Sequence, residues 1–139
     1  MQKSIEWFFK KKLLMKDPTI KNLSLKYLEK AKNNIITMEI LNKIKGFKDV
    51  LNLPQDYKSE EWVIITAYYA MYMSALSILS KLGYKSNNHS ATIYALEEFF
   101  VKRKVLEKEF IDILNKIKIE KDEIEKLEKV KGRREVAQY

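Results

Sequence analysis

From Trp62 through Ser80 the chain carries no charged residue, although charged residues make up 33% of the whole. That run is long enough for about five turns of helix. An apolar helix of such length lies either in a bilayer or in a protein core. Thr66, Tyr68, Tyr69, Tyr72, Ser74 and Ser77 make it too polar for a lone span, and the segments around it are amphipathic. It therefore reads as the central helix of a bundle, buried on most sides. Ser59 is its expected N-cap, and Glu60 and Glu61 suit the positive end of the helix dipole. Gly83 stands where a left-handed C-terminal cap is expected. Ala67, Ala70, Ser74 and Ala75 would let neighbouring helices approach closely.

The rest of the chain is patterned for helices of the same bundle. A short aromatic helix is predicted from Ile5 to Met15, anchored by Trp7, Phe8 and Phe9 and ended by Asp17-Pro18. A second is predicted from Thr19 to Lys45. Its stripe is Leu28, Ala31, Ile35, Met38, Leu41 and Ile44, with Lys21, Lys26, Lys30 and Lys32 on the other side. Asn52-Leu53-Pro54-Gln55 breaks the chain before the central helix. After it comes a polar loop, Tyr84 to Ser90. A fourth helix follows from Ala91 to Val101, with Ser90 or His89 at its start and Ile93, Leu96 and Phe100 facing inward. The fifth is predicted from Val105 to Lys129, on a stripe of Leu106, Phe110, Ile113, Ile117, Ile124 and Leu127. Only three Gly and two Pro interrupt 139 residues, too few for the turns of an all-β fold. The expected fold is all-α: an up-and-down bundle of four to five helices, forming one domain over residues 1–139.

The formal net charge of +8 sits on the outer segments: residues 1–16 carry +4, 17–58 carry +3, 59–100 carry −2 and 101–139 carry +3. Such a balance suits a polyanionic partner, and equally a solvated surface laced with Lys and Glu. With no cysteine and one histidine, a Cys/His zinc site has no ligand set to draw on. The isolated glycines form no phosphate loop. No cofactor and no metal is called for. No secretion signal is expected in Met1 to Lys16, and a cytoplasmic, membrane-free setting is expected.

One constellation remains. Tyr68 and Tyr69 lie on the central helix. Lys85, Asn88, His89 and Ser90 lie in the loop and at the start of the next helix. Arg133 and Arg134 lie in the basic tail. His89 is the one side chain that titrates near neutrality. A helix N-terminus beside it favours an anion, and Arg suits phosphate. Read on residue type alone, His89 is equally a helix cap, the tyrosines are core, and the arginines are a solvated tail.

Ala67-Tyr68-Tyr69-Ala70-Met71, then Gly83-Tyr84-Lys85, then His89-Ser90-Ala91-Thr92-Ile93 resemble the central helix and loop of the HEPN domain family, in its archaeal and bacterial branch. Glu6 to Lys11 and Arg133 to Tyr139 resemble the two ends of the same branch. The resemblance implies a four- or five-helix bundle that often dimerises. It also implies a place beside a minimal nucleotidyltransferase protein, in some cases as a toxin–antitoxin pair. Many members of the family are metal-independent ribonucleases that use an Arg, a gap of four to six residues, and a His. Here none of Arg103, Arg133 and Arg134 precedes a histidine, and Gln138 stands where the His after Arg133 would fall. Glutamine cannot act as a general base. The expected function is therefore a module that binds nucleotide or RNA, or docks a nucleotidyltransferase. The alternatives are a ribonuclease with a composite site, His89 as acid or base and Arg133 or Arg134 on the phosphate across a homodimer, and a purely structural partner.

Overall fold

The computed structural model describes residues 3–137, with side chains described for 3–127. Five α-helices and one small sheet occur among the described residues: α1 (Ile5–Lys10), β1 (Leu14–Lys16), α2 (Ser24–Lys43), α3 (Glu60–Lys81), β2 (Tyr84–Ser86), α4 (His89–Leu96) and α5 (Lys108–Ala137). Short 3₁₀ helices precede and follow α2, at Pro18–Leu23 and Ile44–Phe47. A π turn, Glu97–Val101, extends α4.

α3 is the hub. It packs against α2, α4, α5 and β2, and it buries Ile65, Tyr68, Ala70, Ala75 and Leu79. Glu60–Lys81 is the one described helix with the length and composition of a membrane span; 44% of its apolar window is buried in this fold, while Trp62 and Ile78 stay exposed. α2 lies antiparallel beside it, and serines clamp the pair at both ends. At one end Ser24 Oγ donates to the Ser77 carbonyl (2.9 Å) and Ser77 Oγ donates to the Ser24 carbonyl (2.8 Å). At the other, Ser59 Oγ donates to the Leu41 carbonyl at 2.7 Å. Ser59 thus does not serve as the side-chain cap expected of it. It ties α3 to the Leu41 carbonyl at the end of α2, which also accepts from the Ile44 amide.

Boundaries of four helices differ from the sequence expectation; α5 begins at Lys108 rather than Val105 and runs to Ala137 rather than Lys129. The first helix does not reach Met15. It ends at Lys10, and Lys12 takes a left-handed conformation (φ 58°) while the Leu13 amide reaches back to the Phe8 carbonyl (3.0 Å). That is the helix-ending turn usually built on Gly. The freed segment pairs as β1 with β2, in the register Leu14↔Ser86, Met15↔Lys85, Lys16↔Tyr84. The expected polar loop is therefore in part a strand, and the fold is mostly helical rather than purely so. The second helix is regular only from Ser24. Asp17 caps the preceding 3₁₀ turn by accepting from the Thr19 amide. The fourth helix is capped by Asn88, whose Oδ1 accepts from the Ala91 amide at 2.8 Å, and not by His89 or Ser90. Gly83 does take the left-handed conformation expected of it (φ 88°), and its carbonyl accepts from the Asp17 amide.

The stripes also shift. In α2 only Ala31 is buried, while Leu28 and Ile35 stay exposed because α2 touches the body through α3 and leaves its far side to solvent. In α5 the buried residues are Ile111 and Leu114, and Ile113 is turned outward. In α4, Ile93 and Leu96 are buried as expected.

Candidate binding cleft between α3, α4 and α5

The short sheet holds the start of α4 against α3. Asn87 donates its amide to the Leu13 carbonyl (2.8 Å) and its side chain to the Lys12 carbonyl (3.0 Å). The next residue caps α4, and His89 follows at the first helical position. This geometry sets the imidazole beside Tyr68 and Tyr72, about two and three turns along α3. The result is a cleft of about 440 Å³ lined by Tyr68, Tyr69, Tyr72, Asn88, His89, Ser90, Lys118 and Lys121.

His89 is held from both sides. Its Nε2 lies 3.0 Å from Asn115 Oδ1, and its Nδ1 lies 3.2 Å from the Tyr68 hydroxyl. The amide oxygen only accepts, so Nε2 carries the proton and donates. Nδ1 then accepts from the Tyr68 O–H, which is the bonding of a neutral imidazole. Electrostatics agree. Burial pushes the His89 pKa below its ordinary value, and the Lys118 and Lys121 charges add to this, against the Asn115 hydrogen bond and Asp122. Burial likewise raises the Tyr68 hydroxyl, helped by Tyr72 and Tyr69, so it stays a donor at neutral pH.

The aromatic rings form a wall. Tyr68 stacks on Tyr72 (centroids 5.5 Å apart, planes at 13°), and Tyr72 stacks near His89 (6.0 Å, 19°). Tyr69 meets Tyr68 edge-on at 5.2 Å. Two ammonium groups from α5 face this wall. Lys121 Nζ lies 5.0 Å from the Tyr68 ring centre and 5.4 Å from that of Tyr69; Lys118 Nζ lies 6.0 Å from Tyr68. Lys121 is only 6% exposed. Its Nζ donates to Glu125 (3.0 Å) and more weakly to Asp122 (3.4 Å), while Lys118 pairs with Asp122. Burial opposes the charge on Lys121, but the Glu125 hydrogen bond, Tyr69 and the two carboxylates outweigh it, and its pKa stands above the ordinary value.

Of the residues singled out in the sequence, Tyr68, Tyr69, Asn88, His89 and Ser90 come together here. Lys85 does not. It is exposed on β2 and borders a separate hollow of about 230 Å³ with Tyr27, Ser80 and Ser86. Strand pairing aims it away, because alternate residues of a strand point to opposite faces. The side chains of Arg133 and Arg134 lie outside the described residues. Tyr72 belongs to the same tyrosine run of the central helix, whereas Asn115, Lys118 and Lys121 were not singled out. The α5 residues among them share one helix face by i, i+3 and i+6 spacing, but in the sequence they are lost among other Lys and Glu.

The arrangement offers flat aromatic faces, ammonium groups and a helix start within one cleft. That is the chemistry of stacking a planar ring while meeting an anion beside it. No family model, no curated protein and no solved structure matches this chain.

Proposed function

We propose that this chain is a HEPN-type binding module whose cleft between α3, α4 and α5 takes a nucleotide or a segment of RNA. The observation that carries the reading is the joining of the Tyr68, Tyr69 and Tyr72 rings with Lys118 and Lys121 at the start of α4. A base stacks on the aromatic wall, as bases do on protein platforms. The phosphate lies toward the ammonium groups and the first turn of α4. The family resemblance supports the same reading and adds a minimal nucleotidyltransferase as protein partner, within a toxin–antitoxin pair.

The held imidazole favours binding over cleavage. A general acid or base needs a ring nitrogen free to reach the substrate, and both nitrogens of His89 are occupied by Tyr68 and Asn115. In the ribonuclease alternative, Tyr68 or Asn115 must first release the ring.

The test is calorimetry with adenosine and guanosine nucleotides and anisotropy with a labelled RNA oligomer, on wild type, Tyr69→Ala and Lys118→Ala. Binding that weakens about tenfold in each variant, roughly 1.4 kcal/mol, is expected. RNA binding should also fall with added salt as counterions are released. Wild type that binds none of these ligands overturns the proposal. RNA cleavage by wild type that is lost in His89→Ala would establish the ribonuclease alternative in its place.

A further inference from the structure

The seat for an anion in the cleft is filled by the chain itself. The Asp122 carboxylate bridges the two ammonium groups that face the tyrosines. Its Oδ2 accepts from Lys118 Nζ, and its Oδ1 lies 3.4 Å from Lys121 Nζ. Glu125 holds Lys121 separately, at 3.0 Å. The Asp122 side chain is 49% exposed and that of Lys121 only 8%. Water can take up the carboxylate, but the buried ammonium must keep a partner, because a buried charge without one is costly. Whatever anion enters the cleft therefore displaces Asp122 and leaves Glu125 in place. Nor is α5 a track for a polyanion. Between residues 108 and 126 it carries five lysines and six carboxylates, a net charge of −1. A groove that follows a nucleic-acid strand is basic along its length and takes roughly 4–16 nucleotides. This cleft of about 440 Å³ lies near the lower end of the range for small-molecule sites, roughly 300–1,000 Å³.

Resting on the reading of the cleft as a nucleotide or RNA site, we propose that its ligand is one nucleotide unit ending in a phosphomonoester, and that this phosphate takes the place of Asp122 on Lys118 and Lys121. A phosphodiester carries one negative charge, as the displaced carboxylate does, so that exchange gains nothing in charge. A terminal phosphate carries about −1.5 to −2 at neutral pH and offers three acceptor oxygens. Two of them serve the ammonium pair as the carboxylate did. The third remains for Asn88 and Ser90, which line the same cleft. A free mononucleotide and the phosphorylated end of an RNA share this chemistry.

The test is calorimetry at about pH 8, where the second phosphate ionisation (pKa about 6) is complete. The ligands are the four ribonucleoside monophosphates, the methyl phosphodiester of each, and a short RNA phosphorylated at one end, at the other or at neither. A monophosphate should bind about tenfold tighter than its methyl ester. Asp122→Asn should tighten monophosphate binding about two- to fivefold, because no exposed ion pair has to be broken. The position is exposed, so folding, checked by circular dichroism, should be unchanged. If a phosphorylated RNA end binds as tightly as the mononucleotide, RNA supplies the phosphate; if the mononucleotide alone binds tightly, the free nucleotide does. Both results support the proposal. A methyl ester or an unphosphorylated RNA that binds as tightly as the monophosphate overturns it and leaves the nucleotide or RNA reading standing. An Asp122→Asn protein with unchanged or weaker monophosphate binding overturns it equally. Wild type that binds none of these ligands overturns both.

Discussion

Lys121 separates a role in folding from a role in binding, and two substitutions read the difference. Lys121→Met keeps most of the buried stem and removes the ammonium; Lys121→Ala removes both. The charge has two favourable interactions to lose. The ion pair with Glu125 is made to a carboxylate 38% exposed, so it contributes about 0.2–1 kcal/mol. The approach to Tyr68 and Tyr69 adds roughly 0.5–2 kcal/mol. Against them stands the desolvation of an ammonium on a residue 6% exposed, but the pKa stands above the ordinary value, so its partners outweigh that cost. Glu125 and Asp122 are exposed enough to return to water. Lys121→Met should therefore be less stable than wild type, by about 0–2 kcal/mol. Lys121→Ala should fall about 2 kcal/mol below Lys121→Met, from the loss of three buried heavy atoms. The assay is urea unfolding followed by circular dichroism, paired with nucleotide titration of each variant. Both variants should lose ligand affinity about tenfold or more. A Lys121→Met protein more than ~1 kcal/mol more stable than wild type refutes the reasoning. It would mean that desolvation of the ammonium outweighs what its partners return.

Other outcomes follow from the same structure. The His89 pKa is depressed in the fold, so the unfolded chain takes up its proton first as pH falls. Stability is then fully present above the ordinary value of 6.5 and declines as pH falls from there through the folded value. The part of the pH–stability slope belonging to His89 should vanish in His89→Gln, measured by urea midpoints across that range. Leu79 is fully buried at the hub, and Leu79→Ala should cost about 3–5 kcal/mol in urea unfolding. Lys12 and Lys104 both sit at left-handed positions (φ 58° and 60°). Lys12→Gly and Lys104→Gly should each raise stability by roughly 0.5–1 kcal/mol, read as thermal midpoint.

Those two lysines also explain which helix ends were legible in the sequence. Gly83 announces its left-handed turn by residue type, and the end of α3 was placed correctly. Lys12 and Lys104 make the same turn, each with a backward amide bond spanning five residues, Leu13 to Phe8 and Val105 to Phe100. Neither carries a residue that signals it, so the first helix was extended to Met15 and its strand was missed. The central helix and its tyrosines were legible because a run without charge survives any local irregularity. Asn88 was missed as the cap because three candidate caps, Asn88, His89 and Ser90, stand in a row, and only the approach of β2 selects among them. The α5 stripe was placed in part: Leu106, Phe110 and Ile117 do pack on the core, whereas Ile113 and Leu127 are exposed and the most buried positions, Ile111 and Leu114, lie beside them. The face actually buried is marked by fewer apolar residues and continues into lysine.

That continuation bears on function. Ile111 and Leu114 are fully buried on α5, and the same face runs on through Lys118 and Lys121 to Glu125, at helical spacing. A sequence selected for folding alone would carry Ile or Leu at 118 and 121, as it does at 111 and 114, and close the core over Tyr68. Instead the stripe turns to ammonium where it reaches three tyrosines and a neutral histidine. Every buried side-chain nitrogen and oxygen of the described residues has a partner, so the exchange is a satisfied polar network rather than a packing fault. Departures from local packing rules that are fully satisfied yet costly concentrate at functional sites. Tyr68 joins the two halves of the cleft, giving its hydroxyl to His89 and its ring face to Lys121. A change at either end therefore reaches the other through one ring. The same logic separates Tyr68 from Tyr69, whose ring faces Lys121 and lines the cleft. Tyr68→Phe should release His89 and reduce the depression of its pKa, measured by NMR titration, whereas Tyr69→Phe should leave that titration unchanged and act on ligand affinity alone.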